Sequence, residues 1–274
     1  MNLEEKTIPY EKAIRTIVKS SIETFSKNFS ERHISQKKDT EGVINMKIHN
    51  VFVAHLGEEI QYYSALARSF DSSLGNMLED LAIDIAKLFF TVEKKITGPL
   101  YPEQISKIAE LLEAYKNRNN DLKVEVAHYE LIKNLNLDTE VVEKTHNSDY
   151  YLVDEITKEN FIIELKIGGD LDNKKARSEK EALMEQFAIL SNTLGDKAEI
   201  TCYFATAYNR FGENQPWTQG RVKQFFSEDE LLIGKDFWNF ICKSDFGYEV
   251  VLDEYKQNSY LITDSLQKIK ETYL

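Results

Sequence analysis

The sequence predicts an α/β protein that is rich in helix. Three observations carry that reading. The first 120 residues place apolar side chains at helical spacing. Two short apolar runs between 150 and 167 flank a polar turn. A further helix and one more apolar run follow, ending near 207. Only four prolines and eleven glycines occur in 274 residues, fewer than a sandwich of many short strands would need.

Taken in order, Ala13, Ile14, Ile17, Val18, Ile22 and Phe25 recur every three or four residues, which makes one amphipathic stripe. A second helix is expected from Ser73 to about Thr91, with Leu74, Leu78, Leu81, Ile85 and Leu88 on its buried face. Pro102 suits the first turn of a third helix, because a helix leaves its first amides unpaired and proline has none to lose. Tyr150–Val153 and Phe161–Ile167 are rich in aromatic and β-branched residues, and the segment 154–160 between them is polar. That pattern is a β-hairpin, stopped by Gly168-Gly169. Ser178-Glu179-Lys180-Glu181 fits a capping box and is expected to start a helix with Leu183, Phe187 and Leu190 inward and Gly195 as its stop. Ile200–Ala207 is a buried strand, and a last helix is expected from about Asn258 to Tyr273. No repeat or linker interrupts the chain, so residues 1–274 are expected to form a single domain. Its parts would be a mainly helical 1–120, a catalytic core at 121–210, and recognition or dimer elements at 211–274.

The acidic start, MNLEEKTIPYEK, has no apolar core of a signal peptide, and no run of about eighteen apolar residues occurs. A cytoplasmic protein without membrane partners is expected. Cys202 and Cys242 form no C-x-x-C, so no zinc or redox pair is signalled. The five histidines show no metal spacing. A net charge of −12 argues against a passive nucleic-acid coat but not against a nuclease, which needs only a local basic groove.

The chemistry centres on Glu164-Leu165-Lys166. Glu-x-Lys recurs at Glu4/Lys6, Glu93/Lys95 and Glu254/Lys256, so the tripeptide itself says little. Those copies lie in polar segments expected to be helix or loop, whereas Glu164 and Lys166 interrupt a strongly apolar strand. On a strand both point the same way, roughly 6.6 Å apart. Charges buried there need a partner or a metal. If the turn centres near Thr157 and Lys158, Lys166 faces about position 149 and Glu164 about position 151. Asp149 then joins the pair, with Asp154 as the rival acid near the turn. Two carboxylates and a lysine suit phosphodiester hydrolysis with Mg²⁺, which takes one or two carboxylates and keeps water and phosphate oxygens as other ligands. Asp149, Glu164 and the backbone carbonyl of Leu165 would hold the ion. Lys166 would orient water and offset charge on the phosphate.

The hairpin Ser148-Asp149-Tyr150-Tyr151-Leu152-Val153 with Ile163-Glu164-Leu165-Lys166 resembles the PD-(D/E)xK nuclease core, with Ser148 in place of the common proline. Leu74-Gly75-Asn76-Met77-Leu78-Glu79, Glu164–Gly169 and Gly234–Phe240 resemble segments of the TdeIII-type type II restriction endonucleases. The resemblance implies a mixed β-sheet flanked by helices beside a helical N-terminal region. It also implies an Mg²⁺-dependent homodimer that cuts double-stranded DNA at a short palindrome, of the GGNCC kind in such relatives. A cognate DNA methyltransferase would protect the host. Glu79 matches a helix glutamate that faces the metal in many such nucleases.

Lys174, Lys175, Arg177 and Lys180 follow the strand and are candidates for phosphate contacts. Asn209, Arg210, Gln219 and Arg221 lie in a polar loop and are candidates for reading bases. Gln186 is a further residue within possible reach. A repair nuclease or junction resolvase on the same core, and a non-enzymatic helical interaction protein, are the competing readings.

Overall fold

The structure, a computed structural model, describes residues 10–116, 123–137, 141–195 and 197–274. The first Glu-x-Lys, at Glu4 and Lys6, and most of the acidic start lie outside them. In chain order the elements are α1 (Glu11–Ser35), α2 (Val51–Ala54), α3 (Glu58–Ala86), β1 (Phe90–Leu100), α4 (Pro102–Lys116) and α5 (His128–Lys133). β2 (Val142–Asp154), β3 (Asn160–Leu165), α6 (Asn173–Leu194), β4 (Ile200–Thr206) and α7 (Gly220–Lys223) follow. β5 (Leu231–Ile233), α8 (Lys235–Ile241), α9 (Gly247–Asn258) and α10 (Tyr260–Tyr273) complete the chain.

Two compact units result. One comprises the chain up to Ile85 together with Ser244–Leu274 and contains helices only among its described residues. Ile14, Val18, Ile22, Phe25 and Phe29 of α1 are its buried stripe, and α9 and α10 pack on α1. His33 is buried there, its Nδ1 2.9 Å from Phe29 O and its Nε2 3.1 Å from Ser69 Oγ.

The other unit, Ala86–Lys243, holds a five-stranded mixed sheet in the order β1-β2-β3-β4-β5. β1–β2 and β2–β3 are antiparallel, and β3–β4 and β4–β5 are parallel. The parallel β3–β4 pair needs a crossover, which α6 supplies. Leu183, Met184, Phe187 and Leu190 of α6 pack with Ile96, Tyr151, Ile162, Cys202 and Phe204 of the sheet. The sheet's other face is closed by Phe90, Phe161, Tyr203 and Phe240, whose rings contact one another. An α/β, helix-rich fold with helices against a mixed sheet is what the sequence predicted.

Three boundaries differ from expectation. The helix expected at Ser73–Thr91 spans Glu58–Ala86, and Glu93 and Lys95 belong to strand β1 rather than to helix or loop. α6 begins at Asn173, not after Ser178: the Asp172 carboxylate accepts from Lys175 N at 2.8 Å and caps the helix one and a half turns early. The hairpin register is also shifted. Asp154 N donates to Glu159 O (3.0 Å), closing a four-residue loop in which Lys158 adopts φ 65°. The turn therefore centres one residue earlier, and Tyr150 pairs Ile163.

Asp154, the rival acid, has a structural task at that turn. Its Oδ1 accepts from Ile156 N (2.8 Å) and Thr157 N (3.0 Å), and its Oδ2 pairs with Lys243. Burial pushes its carboxyl up, but the Lys243 ammonium and those two amides outweigh burial and hold it at about 2. A depressed carboxyl stabilises the fold above its unfolded pKa and loses that contribution as pH falls through the folded one. Asp154→Ala is therefore expected to cost the sheet unit roughly 2 kcal/mol at neutral pH, the gap closing between about pH 4 and 2. Urea unfolding at several pH values checks this; equal midpoints at pH 7 would rule it out.

Candidate active site

The end of β3 carries the charged residues. Ile162 and Glu164 share the strand face that looks toward α6, and Ile162 pairs Tyr151. Extending that register sets Asp149, not residue 151, opposite Glu164. Asp149 occupies an irregular stretch of β2. Between the pairs Glu93↔Tyr151 and Lys95↔Asn147, one residue of β1 (Lys94) faces three of β2 (Ser148–Tyr150). Such a bulge breaks the ladder and re-aims side chains. Here the Asp149 Oδ2 accepts from the backbone N of Leu165 at 3.1 Å, which ties the two strand ends together.

Lys166 gathers the acids. Its Nζ donates to Glu164 Oε1, and lies 3.7 Å from Asp149 Oδ2 and 3.6 Å from Glu179 Oε1. Glu164 is buried. Burial first, then the neighbouring Asp149 and Glu179 charges, push its carboxyl up to about 9 against the opposing pull of Lys166. Burial alone would lower the Lys166 ammonium, but Glu164, Asp149 and Glu179 hold it above its usual range. Three acids thus gather around one ammonium, with Glu164 buried and Asp149, Glu179 and Lys166 partly exposed.

Glu179 was missed by the sequence reading. It stands on α6 seven residues beyond the Asp172 cap, well inside the helix rather than at its first turn. Further along the same helix, Glu185 Oε2 meets Lys144 Nζ at 2.6 Å and His146 Nε2 at 2.7 Å. The histidine contact is close enough for an ion pair, although its angle leaves Nε2 outside hydrogen-bonding geometry. Burial raises the Glu185 carboxyl, yet these two bases hold it below its usual range. Gln186 is buried, and its Oε1 has no hydrogen-bond partner.

The remaining predicted residues lie in several places. Glu79 is half-buried on α3 of the helical unit. Lys174 and Lys175 are exposed in the first turn of α6, and Arg177 Nη1 is 3.8 Å from Glu181. Lys180 is not a surface phosphate contact. It is fully buried, donating to Glu230 and, at 3.2 Å, to Tyr129 Oη. Asn209 is engaged within its own loop: its Nδ2 donates to Gln215 O (2.7 Å) and its Oδ1 accepts from Phe211 N (3.0 Å). Arg210 Nη1 pairs with Asp170 Oδ1 at 2.5 Å, Gln219 Nε2 donates to the same oxygen at 3.2 Å, and Arg221 is exposed.

A carboxylate–lysine cluster on a β-hairpin fits hydrolysis of phosphate esters but does not name a family by itself. The family model of the type II restriction endonuclease HinfI matches residues 10–259. The chain belongs to that family. No curated protein and no solved structure matches it significantly. The match bears out a type II restriction endonuclease and gives no support to the TdeIII subtype in particular. Membership in the HinfI family makes the chain a DNA-cleaving hydrolase with DNA as its substrate. The match begins one residue before α1 and ends one residue after α9, so it takes in residues of both units. No described helix is long and apolar enough to cross a membrane.

Proposed function

We propose that the chain is an Mg²⁺-dependent type II site-specific deoxyribonuclease, with Asp149, Glu164 and Lys166 as its catalytic core. The observation that carries this reading is the single ammonium of Lys166 held among Asp149, Glu164 and Glu179 where β3 ends. Among the described residues no three His, Cys, Asp or Glu side chains are grouped as a ready cage for a metal. Mg²⁺ takes one or two carboxylates and leaves its other positions to water and phosphate, and Asp149 and Glu164 offer two carboxylates at the end of β3. Burial and the Asp149 and Glu179 charges raise the Glu164 carboxyl, and a divalent cation would favour its ionised form.

Asp149 and Glu164 would hold the ion, with the Leu165 carbonyl as a further ligand. When bound, Mg²⁺ supplies Lewis acidity toward water and phosphate. The protein's own contributions are positional. The Leu165 amide fixes the Asp149 carboxylate, and Glu164 and Glu179 fix the Lys166 ammonium. Lys166 orients the attacking water and stabilises charge that develops on the phosphate. Glu79 is proposed as an additional acid. Lys174, Lys175 and Arg177 are proposed to neutralise backbone phosphates. Arg210, Gln219 and Arg221 are proposed to read bases, with Asn209 shaping their loop.

A palindromic site requires a two-fold dimer, because the symmetry of the protein mirrors that of its DNA. We therefore propose a homodimer, with residues 1–274 serving as a single restriction-endonuclease-like domain. A cognate methyltransferase would be its partner in the same system, and the cytoplasm its compartment. GGNCC-type sequences belong among the sites to be tried.

The test is incubation with plasmid and viral DNA, in Mg²⁺ and in EDTA. Discrete, reproducible fragments in Mg²⁺ alone are the expected result. A smear, or cutting confined to branched or single-stranded DNA, would move the chain to a repair nuclease or resolvase. No cutting with any divalent metal would overturn the proposal.

A further inference from the structure

The catalytic strand and the candidate recognition loop meet at one carboxylate. Asp170 lies four residues beyond Lys166, after the Gly168-Gly169 turn. Its Oδ1 takes both Arg210 Nη1 (2.5 Å) and Gln219 Nε2 (3.2 Å), one residue near each end of the 209–221 loop. The turn that presents it has little freedom. Gly169 has φ 62°, its N donates to Lys166 O, and a Cβ there would stand 2.7 Å from Thr206 Cγ2 and 3.2 Å from Trp217 Cζ2. A Cβ on Gly168 would stand 2.6 Å from the Tyr208 hydroxyl. Ala207 N donates to Ile167 O (3.1 Å), pinning the turn to the chain that leaves β4. The loop is braced in its turn by Asn209 to Gln215 O and by Gly212 N to Asn209 O.

We propose that Asp170 is a specificity-positioning residue that holds Arg210 and Gln219 as one unit for duplex DNA and couples that unit to the catalytic strand. The inference rests on the reading of the 209–221 loop as the base-contacting element. Its chemistry is direct. A guanidinium carries five N–H groups, and Asp170 engages one nitrogen, leaving the opposite edge free for the O6 and N7 acceptors of guanine. The ion pair is exposed, so it adds little to stability. Its effect is orientational: a side chain fixed before DNA arrives discriminates between bases more sharply than one that must be ordered on binding. The same carboxylate is anchored by the tight turn behind Lys166, so the loop and the catalytic strand end share one fixed point.

The experiment uses the full chain and a pool of randomised duplexes, whose cut ends are sequenced to give the rate at the preferred site relative to sites with one altered base. Asp170→Ala is expected to lower that ratio about tenfold, within the range that one bidentate base contact supplies. Asp170→Asn keeps the Oδ1 acceptor and is expected to retain most of the ratio. Circular dichroism melting should be unchanged in both. Arg210→Ala should lose discrimination to a similar degree, and Asp170→Ala on top of it should add nothing. Unaltered discrimination in Asp170→Ala beside a loss in Arg210→Ala and Gln219→Ala would overturn the role of Asp170 while leaving the loop reading in place. Unaltered discrimination in all three would overturn the loop reading and this inference with it.

Discussion

Lys166→Ala is expected to abolish DNA cleavage, lowering the rate by about 10³-fold or more, which corresponds to roughly 4 kcal/mol of transition-state stabilisation. Folding and most DNA binding should survive. Among the described residues Lys166 is the one cation paired with Asp149, Glu164 and Glu179, so in the proposed mechanism its loss removes the group that counters charge on the phosphate. The phosphate contacts proposed for Lys174, Lys175 and Arg177 do not involve Lys166, so a filter or gel-shift measurement in the absence of Mg²⁺ should change little. Single-turnover cleavage at saturating enzyme is the deciding measurement. A variant that still cuts within tenfold of the wild type would take Lys166 out of the mechanism, whatever its effect on affinity.

Lys180→Ala should unfold the sheet unit far more readily than any surface change. Lys180 and Glu230 are both fully buried. The ammonium also sits over the rings of Tyr129 (4.6 Å) and Phe226 (5.2 Å), and Tyr129 Oη donates to Glu230 Oε1 at 3.0 Å. Glu230 Oε2 accepts from Ser227 N and Oγ, each at 2.9 Å. Removing the lysine leaves a carboxylate in the interior with hydrogen bonds but no counter-charge, a loss of about 3–5 kcal/mol. Burial lowers the Lys180 pKa despite Glu230, so desolvation outweighs the attraction of the pair. The double variant Lys180→Met, Glu230→Gln keeps the Tyr129 and Ser227 partners and removes both charges. It should therefore recover most of the loss. Denaturant melts of the three proteins test this. A single variant as stable as the parent, or a double variant no better than the single, would show that the pair is not what holds α6 to the segment before β5.

What the sequence disclosed follows from how each signal is written. Glu164 and Lys166 stood out because charges interrupt Phe161–Ile167, and the same interruption gives the structure its buried cluster. The hairpin itself was legible, but its register was not. The true turn is set by the Asp154 side chain capping two amides, a contact that composition does not reveal. β1 was hidden because Thr91, Glu93, Lys94, Lys95 and Thr97 are exposed, leaving no apolar run to read. β5 is three residues long, too short for any period. Glu179 was hidden because the Ser178 capping box put the helix start beside it. The helix in fact starts from the Asp172 cap, which sets Glu179 inside it, where it reaches Lys166. Lys180 illustrates the converse. A lysine among surface-type neighbours gives no sign of burial until Glu230, fifty residues on, is brought to it.

The order of the strands has a consequence for how the site comes together. β2 and β3 close across four residues, whereas β1 reaches β2 only after the chain has passed through α4 and α5. Bringing distant segments together carries a loop-closure entropy that a tight hairpin avoids, so pairing the outer strand costs more chain entropy than closing the hairpin. Asp149, Glu164 and Lys166 all sit on or just beyond the locally closed pair. The carboxylate–lysine group therefore belongs to the part of the sheet with the least chain to gather, and the irregular pairing with β1 falls at Asp149.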